Sequence, residues 1–341
     1  MNRPVVSVIM PVRNEQDFIA GALSSVLNQD YPKELVEVLV VDGDSEDSTV
    51  ALALRVAEAN DRNIRVFRNP KRTAPAALNI GLRESTGTVM IRVDGHCELP
   101  SNYFSECVTN LFSWNASCVG GALETRGVGT VGRGVALAQS TWLGTGGARF
   151  RVGAKKPMPV DTVAFGAYRR ETVDAVGEFD EAFVRNQDDE YNLRVVRSGG
   201  VIVLDPRLQV VYFARTSLPR LWKQYEQYGA FKVLVYRKHR TRPRIRHLAP
   251  ASIVSALVAS GAAIALGRHR NLGLGVVGSY LFALGATGVV EARRRDEQVA
   301  IGVAAAAAAA TMHSAYGYGF IRSAVASIGS RRSDINAAQI A

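Results

Sequence analysis

Cysteine is scarce in this 341-residue chain: Cys97, Cys107 and Cys118 make an odd number and show no CxxC spacing. A disulfide framework and a structural zinc site are therefore excluded as organising principles, and a reducing compartment fits. The first residues run into a strand-like apolar stretch without the basic start, apolar middle and small-residue cleavage site of a signal peptide. The turn after the first expected strand, Pro11-Val12-Arg13-Asn14-Glu15, contains no glycine. That counts against the glycine-rich phosphate loop of nucleotidyltransferases, which also build on Rossmann-like sheets. Acidic residues are nearly missing from the C-terminal third. Up to Leu218 there are 24 Lys+Arg against 26 Asp+Glu; beyond it there are 17 against 5. The net charge of +10 is thus a property of the tail, where the basic residues flank long apolar segments. Nucleic-acid binding would need a basic face on a folded domain, so no nucleic-acid partner is expected; anionic lipid headgroups suit this pattern better.

What the chain does have is alternation. Val5–Met10, Val36–Val41, Ile64–Phe67 and Val89–Val93 are short apolar runs rich in β-branched residues, and Gln16–Asn28, Asp47–Ala59 and Ala74–Glu84 between them carry helical spacing. Strand, helix, strand, helix predicts an α/β fold with a mostly parallel, Rossmann-like sheet covered on both faces. Asp47, Ser48 or Thr49 can cap the second helix. Ligands in such sheets bind at the carboxyl ends of the strands, and the polar clusters fall there: Arg13-Asn14-Glu15, Asp42-Gly43-Asp44 and Asp94-Gly95-His96. Further on, Gly120–Gly153 reads as irregular, a mobile loop or an extra strand pair. Val160–Ala167 reads as a strand, Arg169–Val176 as a short helix and Gln187–Gly199 as a helix with an acidic start.

The tail changes character. Leu221, Trp222, Tyr225, Tyr228 and Val235 lie near one face of a helix, with Lys223, Lys232, Arg237 and Lys238 among them, as in a helix lying in the membrane interface. Arg240, Arg242, Arg244 and Arg246 follow. Leu248–Gly267, Leu272–Val290 and Val299–Ile321 approach the roughly 20 apolar residues a spanning helix needs. The first two are joined by Arg268-His269-Arg270-Asn271 as a hairpin; His313 weakens the third. The expected division is a catalytic domain over 1–218, a basic interface segment over 219–247, two to three membrane helices over 248–322 and a tail over 323–341. Arg240–Arg246 and Arg293–Arg295 favour a cytoplasmic catalytic domain, whereas Arg268, Arg270, Arg331 and Arg332 oppose that orientation.

The polar clusters suit transfer of a sugar from a nucleoside diphosphate. The leaving diphosphate needs a divalent cation, and magnesium or manganese prefers oxygen ligands. A carboxylate after the second strand, Asp42 or Asp44, can bond a base or ribose. Asp94 can ligate the metal, and His96 is a second, softer candidate. Asp188, Asp189 and Glu190 open a helix; one of them can serve as the general base, or all can simply favour the helix N-terminus.

Five stretches in order, Pro11–Glu15, Val40–Thr49, Val93–His96, Phe179–Phe183 and Asn186–Glu190, resemble the signatures of the family 2 inverting glycosyltransferases. The tail is similar in outline to a membrane-bound subgroup related to succinoglycan-biosynthesis transferases, which build lipid-linked oligosaccharides. The resemblance implies a GT-A fold and a donor that is usually a UDP-sugar. It assigns Pro11, Glu15 and nearby Arg13 to the nucleotide pocket, Asp42 to the base, and Arg72 to a basic position near the nucleotide. The Asp-x-Asp metal signature falls on Asp94 and His96, with the second Asp replaced. The Glu-Asp base signature falls on Gln187 and Asp188, which makes Asp188 the general base and puts Gln187 beside it. Gly166 and Arg169 fall where an acceptor pocket is floored. The acceptor signature of processive members is reduced to Gln224 and Tyr228 without its Arg, which implies single additions. The partners implied are a nucleotide-sugar donor, a lipid-linked or polysaccharide acceptor and membrane lipids. The rival expectation, prompted by His96 and Gln187, is a membrane-bound nucleotide-binding or scaffold protein that has lost catalysis.

Overall fold

The computed structural model describes residues 3–60 and 63–328. The chain divides into two compact units, one of residues 1–124 and 153–212, the other of residues 125–152 and 213–341.

The first unit is built on a mixed sheet. Strands β1 (Val6–Val12), β2 (Val36–Asp42), β3 (Ile64–Arg68) and β4 (Val89–Arg92) run parallel in the order β3-β2-β1-β4. Helices α1 (Ile19–Leu27), α2 (Thr49–Ala59) and α3 (Ala74–Glu84) make the crossovers. Every residue of β2 is buried, and all of β1 except Pro11. That explains the unbroken apolar runs: a parallel strand covered on both faces has no solvent side to alternate with. Beyond β4 the sheet continues through β8 (Ala164–Arg169), β6 (Cys118–Arg126), β9 (Ile202–Phe213) and β5 (Cys97–Glu98), with β8 antiparallel to both β4 and β6, and β5 and β7 (Met158–Val160) antiparallel to β9. Helices α4 (Tyr103–Ser113), α8 (Arg170–Val176) and α9 (Gln187–Arg197) complete the unit.

Several boundaries moved for local reasons. Helix α1 begins three residues later than its apolar spacing predicts, because the Gln16 N–H donates to Asp47 and the Gln16 side chain accepts from Ser48. The segment expected as one strand over Val160–Ala167 is two, β7 and β8. Thr162 sits in the break and accepts a bond from the Asn192 amide. Gly81 in α3 is a packing requirement: a Cβ there would lie 2.3 Å from Ile9 Cγ2 on β1.

The second unit is helical. The stretch expected as a mobile loop or strand pair over Gly120–Gly153 instead supplies β6, α5 (Gly129–Gln139), α6 (Trp142–Thr145) and α7 (Arg149–Val152). Several of its glycines serve close packing; a Cβ on Gly134 would lie 2.5 Å from Ala304 Cβ. Helix α10 (Leu218–His239) is followed by α11 (Ile245–Ala265), α12 (Arg270–Arg294) and α13 (Val299–Ala326). The last three are long and apolar enough to cross a membrane. They start and end differently from the expected 248–322, and α13 runs four residues into the expected tail; residues 329–341 of that tail lie outside the described residues.

Helix α13 is the hub, packed by α5, α10, α11 and α12. Its alanines and glycines allow backbones to approach: Gly317 meets the Pro250 carbonyl of α11, and Gly319 meets that of Glu226 on α10. A helix lying in the membrane interface was expected at Pro219–Arg237. Helix α10 buries Leu221, Tyr225, Ala230, Phe231, Val233 and Val235. Its apolar face is covered by protein, because Gly229 lets it press against the Tyr316 carbonyl of α13. His313 is accommodated in α13 by two bonds. Its Nε2 donates to the Leu143 carbonyl at 2.7 Å, so its Nδ1 accepts from the Tyr280 hydroxyl at 3.1 Å. The outer surfaces of α11 and α12 stay apolar, with Val258, Leu266, Leu272, Leu281 and Phe282 exposed, an area that water would not tolerate and lipid would.

Candidate active site

In the first unit, the carboxyl ends of β1, β2 and β4 bring three loops together. Val12 pairs with Asp42 and Ile9 with Arg92 across the sheet, so the residues following each strand emerge side by side. The first two loops are stitched to each other. Asn14, at φ +54°, donates its N–H to Ser45 Oγ and accepts the Glu46 N–H on its side chain; the Glu15 N–H donates to Thr49 Oγ1 at 2.7 Å. Asp47 accepts from Thr49 twice, so it does sit at the start of α2 as the sequence suggests, but it also ties down Gln16.

Asp42 is buried and accepts from both the N–H and the hydroxyl of Ser45, at 3.0 and 2.6 Å. Asp44 sits at φ +60° and forms ion pairs with Arg68 at 2.8 Å and Arg72 at 2.7 Å. Bonds from these two guanidinium groups hold its carboxyl down at about 2. Pro11 lies within β1, and the Arg13 stem packs on Gly43, 3.2 Å from where a Cβ would be.

The third loop brings Asp94 beside Arg92 and Asp188. Both oxygens of Asp94 accept from the Arg92 guanidinium, at 2.9 and 3.1 Å. The same guanidinium lies 4.0 Å from Asp188 at the start of α9. Burial works against the charge on Arg92, and Asp94 and Asp188 outweigh it, so the guanidinium stays protonated. Protein packed around the Asp188 carboxyl raises its affinity for a proton. Arg92 opposes that effect, while the negative charges of Asp189 and Asp94 reinforce it. His96 Nδ1 is 2.8 Å from Glu15 Oε1, and its ring meets Tyr212 of β9 edge to face. Gly95 is needed at that crossing: a Cβ would come within 2.9 Å of Val12 and 3.1 Å of Glu15.

The structure also separates the acidic cluster. Glu190 is fully buried and accepts three bonds from Arg194, whose guanidinium in turn binds the Val176 and Glu178 carbonyls. Asp188 is the member that faces Arg92. Gln187 beside it is buried. Gly166 lies next to Ala167, which pairs with Ile91 of β4. A Cβ on Gly166 would meet Cys118 Sγ and the Tyr168 ring at 2.8 Å. The preceding Phe165 is held at φ +51° while the Tyr103 hydroxyl donates to its carbonyl.

One expected acceptor residue, Arg169, does not join this constellation. Arg169 pairs with Val89 at the opposite end of β4 and binds the Leu111 carbonyl and Glu171, because the antiparallel run of β8 carries it away from the strand ends. Gln224 and Tyr228 belong to α10 in the second unit and bond to each other at 3.0 Å. Arg92 was not anticipated at all. The available signal was the two-residue period of a strand, which puts Arg92 on the same face as Asp94.

Among the described residues no three His, Cys, Asp or Glu side chains are grouped to hold a metal. A cation shared with a diphosphate does not require three: magnesium is commonly held by one or two carboxylates, with phosphate oxygens and water completing the shell. Asp94 keeps acceptor capacity beyond its two bonds to Arg92, and His96 Nδ1 is engaged by Glu15. A carboxylate with that capacity is the ligand type a hard divalent cation takes.

Parallel strands in this order, crossover helices on both faces and acidic loops at the strand ends define a GT-A fold. The chain belongs to glycosyl transferase family 2, whose profile matches residues 7–177. It is 31% identical over 317 residues to the succinoglycan biosynthesis protein ExoA of Rhizobium meliloti, covering 92% of this chain and 93% of that one. It is 29% identical to a dolichyl N-acetyl-α-D-glucosaminyl phosphate 3-β-D-2,3-diacetamido-2,3-dideoxy-β-D-glucuronosyltransferase of Methanococcus voltae, over 68% of this chain and 74% of that relative. The mannosyltransferase PcManGT of Pyrobaculum calidifontis, solved with GDP-Man and Mn2+, shares the fold with a TM-score of 0.58. That match is 20% identical and covers 95% of this chain and 88% of the other.

Proposed function

We propose that this glycosyltransferase moves a sugar, with inversion, from a nucleotide-sugar donor to a hydroxyl of a lipid-linked acceptor at the cytoplasmic face of the cell membrane. The observation that carries the reading is the convergence of Asp94 and Asp188 on one guanidinium at the carboxyl end of β4. Inversion needs a base on the face of the sugar opposite the leaving diphosphate, and two separately anchored carboxylates suit those two tasks. UDP-sugars are the first donors to test, with GDP-sugars next because PcManGT was solved with GDP-Man.

In this reading Asp188 accepts the acceptor hydroxyl's proton as that oxygen bonds to the anomeric carbon. The bond from that carbon to the diphosphate oxygen breaks, and the nucleoside diphosphate leaves with the electron pair. The raised proton affinity of Asp188 favours that role. A bound Mg2+ or Mn2+, held by Asp94 with His96 as a second candidate, would neutralise the departing diphosphate. Pro11, Arg13, Glu15, Asp42, Asp44 and Arg72 line the side assigned to the nucleotide, and Gly166 and Gln187 the side assigned to the acceptor.

The first unit is the catalytic part, and α11–α13 are the membrane anchor. Arg240–Arg246 before α11 and Arg293–Arg295 at the end of α12 fall at the same end of that hairpin, which supports a cytoplasmic catalytic unit. The test is turnover by the detergent-purified protein of UDP-, GDP- and dTDP-sugars with Mg2+ or Mn2+, with and without membrane lipid extract. Metal-dependent nucleotide release that rises with lipid is expected. Nucleotide binding without release from any donor would instead support a protein that has lost catalysis.

A further inference from the structure

Arg92 ends β4 on the face opposite its core-facing neighbours Ile91 and Val93, both 0% exposed. Strand periodicity therefore sets its side chain beside that of Asp94, two residues on, and the guanidinium grips both carboxylate oxygens as a fork. Its third nitrogen faces Asp188, which arrives from α9, far along the chain. Only 13% of the Arg92 side chain meets solvent. A cation so enclosed persists only with counter-charges, and here the counter-charges are the two carboxylates assigned to the chemistry. Around it are Ile9 of β1, the Tyr168 ring of β8 and, behind Asp188, Asp189.

We propose that Arg92 is a positioning residue of the transfer reaction. Its guanidinium fixes the Asp94 carboxylate relative to Asp188 through the fork to one and the contact with the other. This inference rests on the roles proposed above for Asp94 and Asp188. A bidentate fork restrains a carboxylate in plane and in rotation, which a single hydrogen bond or a point charge cannot do. Misplacement of a reacting group by about 1 Å costs on the order of 10²-fold in rate.

The experiment compares full-length wild type, Arg92→Met, Arg92→Lys and Asp188→Asn in detergent. It uses the donor that wild type turns over, with binding of UDP by calorimetry and of Mn2+ by electron paramagnetic resonance in the presence of UDP. Arg92→Met is expected to lower kcat by about 10²-fold while donor KM and UDP affinity stay near wild type. Mn2+ binding should be kept or tightened, because a competing cation has gone. Arg92→Lys should recover part of kcat, since it restores the charge but not the fork. Wild-type kcat in Arg92→Met would overturn the inference. So would a joint loss of kcat, UDP binding and Mn2+ binding in a folded variant, which would make Arg92 a structural residue only. If Arg92→Met does not fold, Arg92→Lys and Arg92→Gln are compared by the same three readouts. Asp188→Asn separates the two levels. If it transfers sugar at the wild-type rate, the base assignment fails; if it is silent while Arg92→Met is fully active, only the positioning role fails.

Discussion

Individual carboxylates in the first unit divide into those that tie strands together and those gathered at the strand ends, and hydrogen-bond partners tell them apart. Glu37 on β2 is of the first kind. It is buried and accepts from the Ser7 hydroxyl, the Thr86 N–H and hydroxyl, and Arg65, which ties β1, β2, β3 and the turn before β4 together. Burial raises its proton affinity, but those bonds outweigh it and set the carboxyl below its ordinary 4.5. A carboxyl depressed in the folded state contributes stability that is present above about pH 4.5 and is lost as pH falls through its folded value. Glu37→Gln should therefore destabilise the protein at pH 7 by roughly 1–3 kcal/mol. The gap to wild type should narrow on acidification, as measured by thermal unfolding in detergent from pH 7 to pH 3. Asp188 is of the second kind. Asp188→Asn should lower transfer by about 10²–10⁴-fold with UDP affinity unchanged by calorimetry. Transfer at the wild-type rate would remove it from the mechanism.

Among the elements, glycine decides how closely the helices of the second unit can pack. Gly288 of α12 and Gly302 of α13 face each other; a Cβ on Gly288 would lie 2.2 Å from the Gly302 carbonyl oxygen. No rotamer relieves that overlap, so a side chain at this position must push the helices apart, as in other membrane helix pairs joined through small residues. Gly288→Leu should lower the melting temperature in detergent and raise protease sensitivity after Arg293–Arg295. Gly278→Leu, on the same helix with no atom near its Cβ position, should match wild type. Equal behaviour of the two variants would show that the crossing does not hold these helices together.

For the whole molecule, the orientation in the membrane is the statement open to the most direct check. The three native cysteines are all buried, so the background to thiol labelling is low. A cysteine introduced at the exposed Glu58 of α2 (Glu58→Cys) should react with a membrane-impermeant maleimide in inside-out vesicles and resist it in intact cells. The reverse pattern would place the first unit on the outer face.

The sequence by itself determined the parallel half of the sheet, the order of its helices and the three polar loops at the strand ends. Those features depend on local periodicity and on turns between neighbours in the chain. It also marked three apolar segments by length and composition alone. Tertiary structure decided which partner each polar group meets. Asp188 could not be told from Asp189 and Glu190 by type or spacing; the difference is that Glu190 meets Arg194 while Asp188 meets Arg92, a residue of a distant strand. Arg169 stood beside Gly166 in the chain and was expected to share its site, but a strand carries residues three apart to opposite ends and faces. Gly120–Gly153 looked like a loop because glycine is a poor helix former in isolation. The reason for one of its glycines, Gly134, lies on α13, where a Cβ would come within 2.5 Å of Ala304 Cβ, a residue far along the chain.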